Sequence, residues 1–478
     1  MAKSIKLRQG TADEHAAFTG ALAEVTFDTT NNTVILHDGV TAGGIPMAKL
    51  NDVPVDLTDL TDVDNNLNVV TVATYDFSNT TLAYTLDNPN PFGTSADDQF
   101  AFSLAISGDH AIVGAQYEDD AGGTTSGKAY IYNVTTGTLV HTINNPNAYG
   151  TSGGDFFGLS VSISGDHAIV GAYGEGDAGS GGNGSGKAYI YNVTTGTLVH
   201  TLDNPSAYGT SEGDNFGFSV SISGDHAIVG AYGEGDAGGT YSGKAYIYNV
   251  TTGALVHTIN NPNAYASSHA DYFGMAVAIS GDRAIIGAFG ENEGGTYSGK
   301  AYIIDVTTGV LVYTLDNPNA YDTSAEDYFS GKVAISGDYA IVSAYGEDDA
   351  GGGSSGKAYI YNVSTGALVH TLDNPNPYGS SANDQFGMVV AISGDYAIVP
   401  AVSEDELTGY NSGKAYIYNV TSGALVKTLD NPNAYDTPIN DGFGRSIAIS
   451  DGRVIVGARD EDDAGGTSSG KVYIFNAP

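Results

Sequence analysis

"SISGDHAIVGAYGEGDAGG", Ser221 to Gly239, is one of seven near-copies of a single phrase in a chain of 478 residues. Self-similarity at a fixed period signals a repeat architecture, in which each unit is one supersecondary piece and stacking supplies the core. The lysine of "SGK" is a ruler: Lys128, Lys187, Lys244, Lys300, Lys357, Lys414 and Lys471 stand 59, 57, 56, 57, 57 and 57 residues apart. In the unit that holds the quoted stretch, "FGFSVSIS" (Phe216–Ser223) alternates bulky and small residues. Gly224-Asp225 then separates it from "HAIVGAYG", the signal of a two-residue hairpin. An acidic, Gly-rich loop, "GDAGGTYSG", leads to "KAYIYNV" (Lys244–Val250), and the turn "TTG" leads to "ALVHTIN" (Ala254–Asn260). These four strands are named A to D. Four short strands per repeat, with no helical periodicity between them, are the content of a propeller blade.

"AIVGA" is apolar on both faces of its strand, so each sheet needs a neighbour on either side. Seven sheets in a ring cover one another and leave no terminal face bare. The chain ends fit that ring. The last unit stops at "GKVYIFNAP", a strand C without a strand D, whereas "YDFSNTTLAYTLDNP" (Tyr75–Pro89) repeats "YNVTTGTLVHTLDNP" (Tyr191–Pro205), a strand D without A or B before it. The expected fold is all-β: a seven-bladed β-propeller over residues 69–478, closed by pairing of residues 81–87 with 470–476, and a small N-terminal α+β/β-hairpin module.

Phe-Gly at 157–158, 216–217, 273–274, 386–387 and 443–444, followed by Gly-Ala at 114, 171, 230, 287 and 457, resembles the FG-GAP repeat, the family that includes the propeller of integrin α subunits. Phe100-Ala101 and Phe329-Ser330 depart from the first dipeptide, Ser343-Ala344 and Pro400-Ala401 from the second. The calcium loop that the family often carries between strands A and B is replaced by "SGDH" or "SGDY", so the resemblance implies no calcium site at these turns.

The first residues read differently. Thr11 followed by Glu14 is a capping box for a short helix. "AEVTFD" and "TVILHD" around "TTNN" predict a hairpin burying Val25, Phe27, Val34 and Leu36. So small a unit buries little surface and is expected to be stabilised by association. The stretch "LRQGTADEHAAFTGALAEVTFDTTNNTVILHDGVTAGG" resembles the N-terminal module of bacteriophage tail-fibre and other virion proteins, which implies a 1–48 virion-attachment and oligomerisation module. An Asp-rich linker follows at 49–68.

Composition narrows function. With 17 Lys+Arg against 55 Asp+Glu, the net charge of −38 repels phosphate, so no nucleic-acid partner and no docking to anionic lipid are expected. Cys is absent, which excludes disulfides and thiolate metal sites, and no apolar run reaches membrane-spanning length. "MAKSIKLRQG" carries no secretion signal; a soluble chain made in a cytoplasm is expected.

In a four-stranded blade the B–C and D–A loops share one end. The B–C loops are acidic: "YEDDAGG" from Tyr117, "GEGDAGG" from Gly233, "GEDDAGG" from Gly346 and "DEDDAGG" from Asp460. The D–A loops present Phe92, Tyr149, Tyr208, Tyr265, Tyr321, Tyr378 and Tyr435, which are the candidate receptor-binding residues. Their rings either stack on sugar faces or pack over their own blade junctions. Asp98, Asp155, Asp214, Asp271, Asp327, Asp384 and Asp441 stand two residues before the Phe of strand A. They either cap loop N–H groups, which is favoured, or join the B–C carboxylates around calcium, the one cofactor left open. His110, His167 and His226 share one repeat position, and His141, His200, His257 and His370 another. Tyr339 and Tyr396 replace the first set and Tyr313 the second, so imidazole chemistry is not required.

Catalysis needs unlike groups converging on one point, and Arg283, Lys332, Arg445, Arg453, Arg459 and His269, the charged breaks in the pattern, include no acid and base pair. The absence of Trp excludes the Trp-ending Asp-box of sialidase propellers, and no nucleophile elbow, phosphate loop or zinc motif occurs. The function expected is a non-enzymatic bacteriophage virion structural protein: a tail fibre or appendage, assembled in the host cytoplasm. Its N-terminal module would join other virion proteins, and its propeller would bind a host surface glycan or protein. A homotrimer is expected because fibre proteins are usually built so. A polysaccharide depolymerase and a capsid decoration protein are the alternatives.

Overall fold

The computed structural model describes the backbone of four N-terminal strands and residues 75–477, apart from short stretches within the D–A loops (90–96, 147–153, 206–212, 263–269, 319–325, 376–382, 433–439) and the B–C loops (120–124, 177–183, 236–240, 293–295, 349–352, 406–410, 463–467). Met1–Thr74 and Tyr75–Pro478 are separate compact units. In the first, Leu7–Gly10 pairs parallel with Glu24–Asp28, which pairs antiparallel with Thr33–His37, which pairs in turn with Ile45–Lys49. The register sets Val25 opposite Leu36 and Phe27 opposite Val34, the hairpin that the alternation around "TTNN" predicts. The burial of these side chains, the helix from Thr11, His269 and the linker beyond Lys49 lie outside the described residues.

The second unit is a seven-bladed β-propeller of four-stranded antiparallel sheets. Blade 1 is Ser103–Ser107, His110–Ala115, Lys128–Asn133 and Thr138–Asn144; blade 3 is Phe216–Ser223, His226–Ala231, Lys244–Asn249 and Leu255–Asn260. Strands A lie against one another from blade to blade, and the seventh (Phe443–Ser450) lies against the first, so strand A is innermost and the ring closes. Strands B and C are buried almost throughout; strand D buries one side chain, such as Leu202 or Ile259, and leaves most of the others exposed or half-buried. The seventh sheet takes its outer strand from far upstream: Thr81–Asp87 pairs antiparallel with Lys471–Asn476. Leu86 enters the core beside Phe100, Tyr130, Val472 and Ile474. Phe77, just ahead of that strand, is buried against Tyr396 of blade 6.

The turn between strands A and B has two residues in every blade: Ser223 pairs with His226 across Gly224-Asp225, and Ser450 with Arg453 across Asp451-Gly452. So tight a turn has no room for a ligand-bearing loop of the D-x-D-x-D-G kind.

Steric contact between blades explains both recurrent dipeptides. A Cβ on Gly171 of "GA" would lie 1.9 Å from the carbonyl oxygen of Gly217, the glycine of the next blade's "FG". Gly114 meets Gly158 and Gly230 meets Gly274 in the same way. Strand B of one blade thus packs backbone to backbone on strand A of the next. The departures from the pattern then fall into order. Ser330 faces Gly287, Ala101 faces Gly457, and Pro400 faces Gly444. By repeat position Ser343 corresponds to Gly387. Each of the seven interfaces keeps a glycine on at least one side.

Polar contacts repeat at both radii. Strand-A serines accept from the next blade's turn, as Ser164 Oγ does from Gly224 N–H at 3.2 Å and Ser223 Oγ from Gly281 N–H at 3.2 Å. At the rim, strand D donates to a carbonyl of the next blade: His141, His200, His257 and His370 Nε2 to Thr194, Thr251, Thr307 and Thr421 at 3.0–3.1 Å. Tyr84 and Tyr313 hydroxyls donate likewise to Thr135 and Ser364 at 2.7 Å, and Lys427 Nζ to Ser78 at 3.5 Å. The second histidine set is therefore an inter-blade donor, and Tyr or Lys performs the same task.

Candidate functional face

The end of the ring that carries the B–C and D–A loops is built on two buried polar devices. The first places the opening acid of each B–C loop in the interior. Glu118, Glu175, Glu234, Glu291, Glu347, Glu404 and Glu461, one at the start of each loop, are all buried at 0–1% exposure. Each accepts from the strand-C tyrosine: Tyr130, Tyr189, Tyr246, Tyr359 and Tyr416 at 2.5 Å, Tyr473 at 2.7 Å, and Tyr302. The ruler lysine supplies the counter-charge. Lys128 and Lys244 Nζ lie 2.6 Å from Glu118 and Glu234, while Lys357 lies 2.9 Å from Asp373 and 3.9 Å from Glu347. Burial raises the carboxyl groups of Glu347, Glu404 and Glu461 to about 7, against the pull of the tyrosine hydroxyl and the lysine. A carboxyl so shifted is the mark of a general acid. The buried glutamate itself recurs in every blade, sealed from solvent, and holds the loop base to strand C.

The second device is an Asn–Asp staple. Nδ2 of Asn88, Asn145, Asn204, Asn261, Asn317, Asn374 and Asn431, the Asn of each "NP", donates at 2.7–2.9 Å to Oδ2 of Asp98, Asp155, Asp214, Asp271, Asp327, Asp384 and Asp441. Each bond spans ten residues and pins the two ends of a D–A loop together. Among the described residues no three His, Asp or Glu side chains are grouped to hold a metal ion. Phe92, Tyr149, Tyr208, Tyr265, Tyr321, Tyr378 and Tyr435 lie in the loops so pinned, outside the described residues.

Inside those loops runs a feature that the sequence reading missed. Ring centroids follow one another from Phe102 to Tyr117 (6.5 Å), Phe156 (5.9 Å), Tyr173 (5.2 Å, stacked), Phe218 (5.4 Å) and Tyr232 (4.7 Å). The series continues to Tyr272 (5.9 Å), Phe289 (5.1 Å, stacked), Tyr328 (6.1 Å) and Tyr345 (5.2 Å, stacked). Tyr117 is exposed and the others are half-buried, so the arc offers ring edges and faces to solvent across five blades. Its members come from the residue before the Phe of strand A, the residue two after it, and the two residues after "GA". These positions vary from unit to unit, which was the available signal. In blades 6 and 7 they hold Gln385, Val402, Gly442, Arg445, Arg459 and Asp460 instead. The face is therefore asymmetric although the fold is not.

Comparison with known proteins agrees with this architecture. The FG-GAP repeat profile matches residues 92–132, 147–191, 206–248, 264–304, 319–361, 377–418 and 433–475, more than half of the chain. The chain belongs to the FG-GAP repeat family. Each matched segment of this FG-GAP protein runs from a D–A loop to strand C, so every blade takes its strand D from outside the match. Residues 5–41 match the major tropism determinant N-terminal domain. The FG-GAP protein is also 53% identical over 49 residues, 10% of its length, to the "Tail fiber receptor-binding protein" of Bordetella phage BPP-1, and spans 13% of that protein.

Proposed function

We propose that this chain is a bacteriophage tail-fibre or related receptor-binding protein of the virion. Its N-terminal unit attaches it to other virion proteins, and its propeller presents the loop-bearing face to the host cell surface. The match of residues 5–41 to a tropism-determinant N-terminal domain carries this reading, and the likeness to a phage tail-fibre protein supports it. The aromatic arc is a suitable contact surface, because stacked rings offer apolar faces to sugars at small cost in side-chain entropy. The seven D–A loop aromatics, Phe92, Tyr149, Tyr208, Tyr265, Tyr321, Tyr378 and Tyr435, flank the arc in sequence and are proposed as further contact residues. The role is binding without catalysis, and the assembly is a homotrimer; neither calcium nor another cofactor is assigned to it.

Purified full-length chain tests this directly: it should compete with particles for adsorption to host cells, and Tyr173→Ala with Tyr232→Ala should weaken that competition at least tenfold. Reducing ends released from host polysaccharide would instead establish the depolymerase. Unimpaired adsorption in the presence of excess chain would establish the decoration protein.

A further inference from the structure

The cations of the propeller are few and unevenly placed. Besides the seven ruler lysines it holds Arg283, Lys332, Lys427, Arg445, Arg453 and Arg459; Arg445 and Arg459 meet at the inner end of the loop-bearing face, with Lys332 near Arg459. Arg445 Nε lies 3.3 Å and Arg459 Nε 3.6 Å from the same oxygen of Asp460. Asp460 also accepts from Gln99 Nε2 at 3.4 Å, and the Arg459 guanidinium covers the Phe102 ring at 4.7 Å, at the end of the aromatic arc. Neither arginine's buried Nε makes a hydrogen bond of good geometry. Lys332, immediately before the innermost strand of blade 5 (Val333–Ser336), is exposed to solvent, has no ion pair among the described residues, and feels Arg459 as its neighbouring charge. One carboxylate thus serves two guanidinium groups, with Lys332 as a further cation near Arg459, in a chain whose net charge is −38.

Architecture does not call for these residues. The other blades place Ser, Ala or Val where Lys332 stands (Ser103, Ser160, Ser219, Ala276, Val389, Ser446). They place uncharged residues where Arg445 stands (Met275 and Met388 among them) and where Arg459 stands (Gln116 and Val402 among them). Although solvent reaches the Lys332 side chain, the protein packed around it and then the charge of Arg459 lower its pKa; burial, opposed by Asp460, and then repulsion from Arg445 lower that of Arg459. A bound anion relieves both penalties.

We infer that Lys332, Arg445 and Arg459 form a site for one anionic group, a carboxylate or a phosphate, at the mouth of the central channel beside the aromatic arc. Two guanidinium forks suit the paired oxygens of either group, and Lys332 adds a mobile point charge. If the face is the receptor surface, which rests on the reading above, the receptor is an acidic glycan. The site itself does not depend on that reading.

Calorimetric titration of the full chain with D-glucuronate, inorganic phosphate and D-glucose tests the site. At least one acidic probe should bind at one per chain and glucose should not; the tighter of the two tells a sugar carboxylate from a phosphate. Lys332→Ser, Arg445→Met and Arg459→Gln, each of which installs the residue of another blade, should fold and weaken the acidic probe at least tenfold. Arg283→Gln, at the opposite end of its blade, should leave it unchanged. Absence of binding by both acidic probes, or equal affinity in the three variants, overturns the inference, as does equal loss with Arg283→Gln. Failure of the chain to compete for host adsorption, with glucuronate or phosphate binding intact, would refute the receptor reading and leave the site standing.

Discussion

Gly230→Ala adds one methyl group where the next blade's backbone already stands. The new Cβ would lie 1.9 Å from the Gly274 carbonyl oxygen and 2.4 Å from Ser219 Oγ. Carbon contacts settle near 3.5 Å, so the two strands must part by about 1.5 Å. That gap runs through the interface where Ile228, Ile247 and Ile259 meet Phe273, Val277 and Ile286, and a gap of that size forfeits more than half of each contact across it. The expected cost is about 3 kcal/mol, the upper end for overpacking. Gly224→Ala is the control: its φ of +53° penalises a side chain by about 1–2 kcal/mol, yet no atom lies within 4 Å of the added carbon. Urea unfolding followed by tyrosine fluorescence and circular dichroism should give Gly230→Ala the lower midpoint. A midpoint equal to or above that of Gly224→Ala would refute the claim that close backbone approach fixes the "GA" glycine.

Other outcomes follow from the same structure. Leu86→Ala in the upstream closing strand should cost about 3 kcal/mol, as should Leu202→Ala at the same position of blade 2. Hydrogen exchange should report loss of protection at Lys471–Asn476 in the first, and unchanged protection there would count against closure by this strand. His200→Ala should lose about 1 kcal/mol with its bond to Thr251, while His200→Tyr should lose almost nothing, since Tyr84 and Tyr313 make that bond elsewhere; equal losses in a thermal melt would contradict the donor role. Glu347, Glu404 and Glu461 titrate in the fold near 7, above the unfolded value, so the fold binds their protons more tightly. Their contribution is complete below pH 4 and is lost as pH rises through 7, by about 1.4 kcal/mol per pH unit for each glutamate. Measured at high salt to screen the surface charge, this slope should fall by about 1.4 kcal/mol per pH unit in Glu347→Gln; an unchanged slope would assign it to other groups.

Period, strand content, ring order and the displaced outer strand are legible in the sequence because they rest on short-range signals: alternation, two-residue turns and the likeness of Tyr75–Pro89 to Tyr191–Pro205. The SGK lysine and the loop glutamate are equally visible as letters, but their burial against Tyr130 and its counterparts is not. An acidic, Gly-rich loop reads as solvated until strand C is placed under it. The same holds for the glycines: the sequence shows that "FG" and "GA" recur, and only the ring shows that they face each other across a blade boundary.

The candidate face divides in the same way. Which end of the ring carries the B–C and D–A loops follows from strand order alone. Phe102, Tyr117, Phe156 and Tyr173 belong to neighbouring blades and flank both inner strands, so their union into one arc needed the stacked blades, and the approach of Lys332 of blade 5 to Arg459 of blade 7 needed the closed ring. A one-dimensional repeat records what each unit has in common. Curvature of the stack decides which of its exceptions become neighbours, because only closure brings residues more than a hundred positions apart to the same channel mouth.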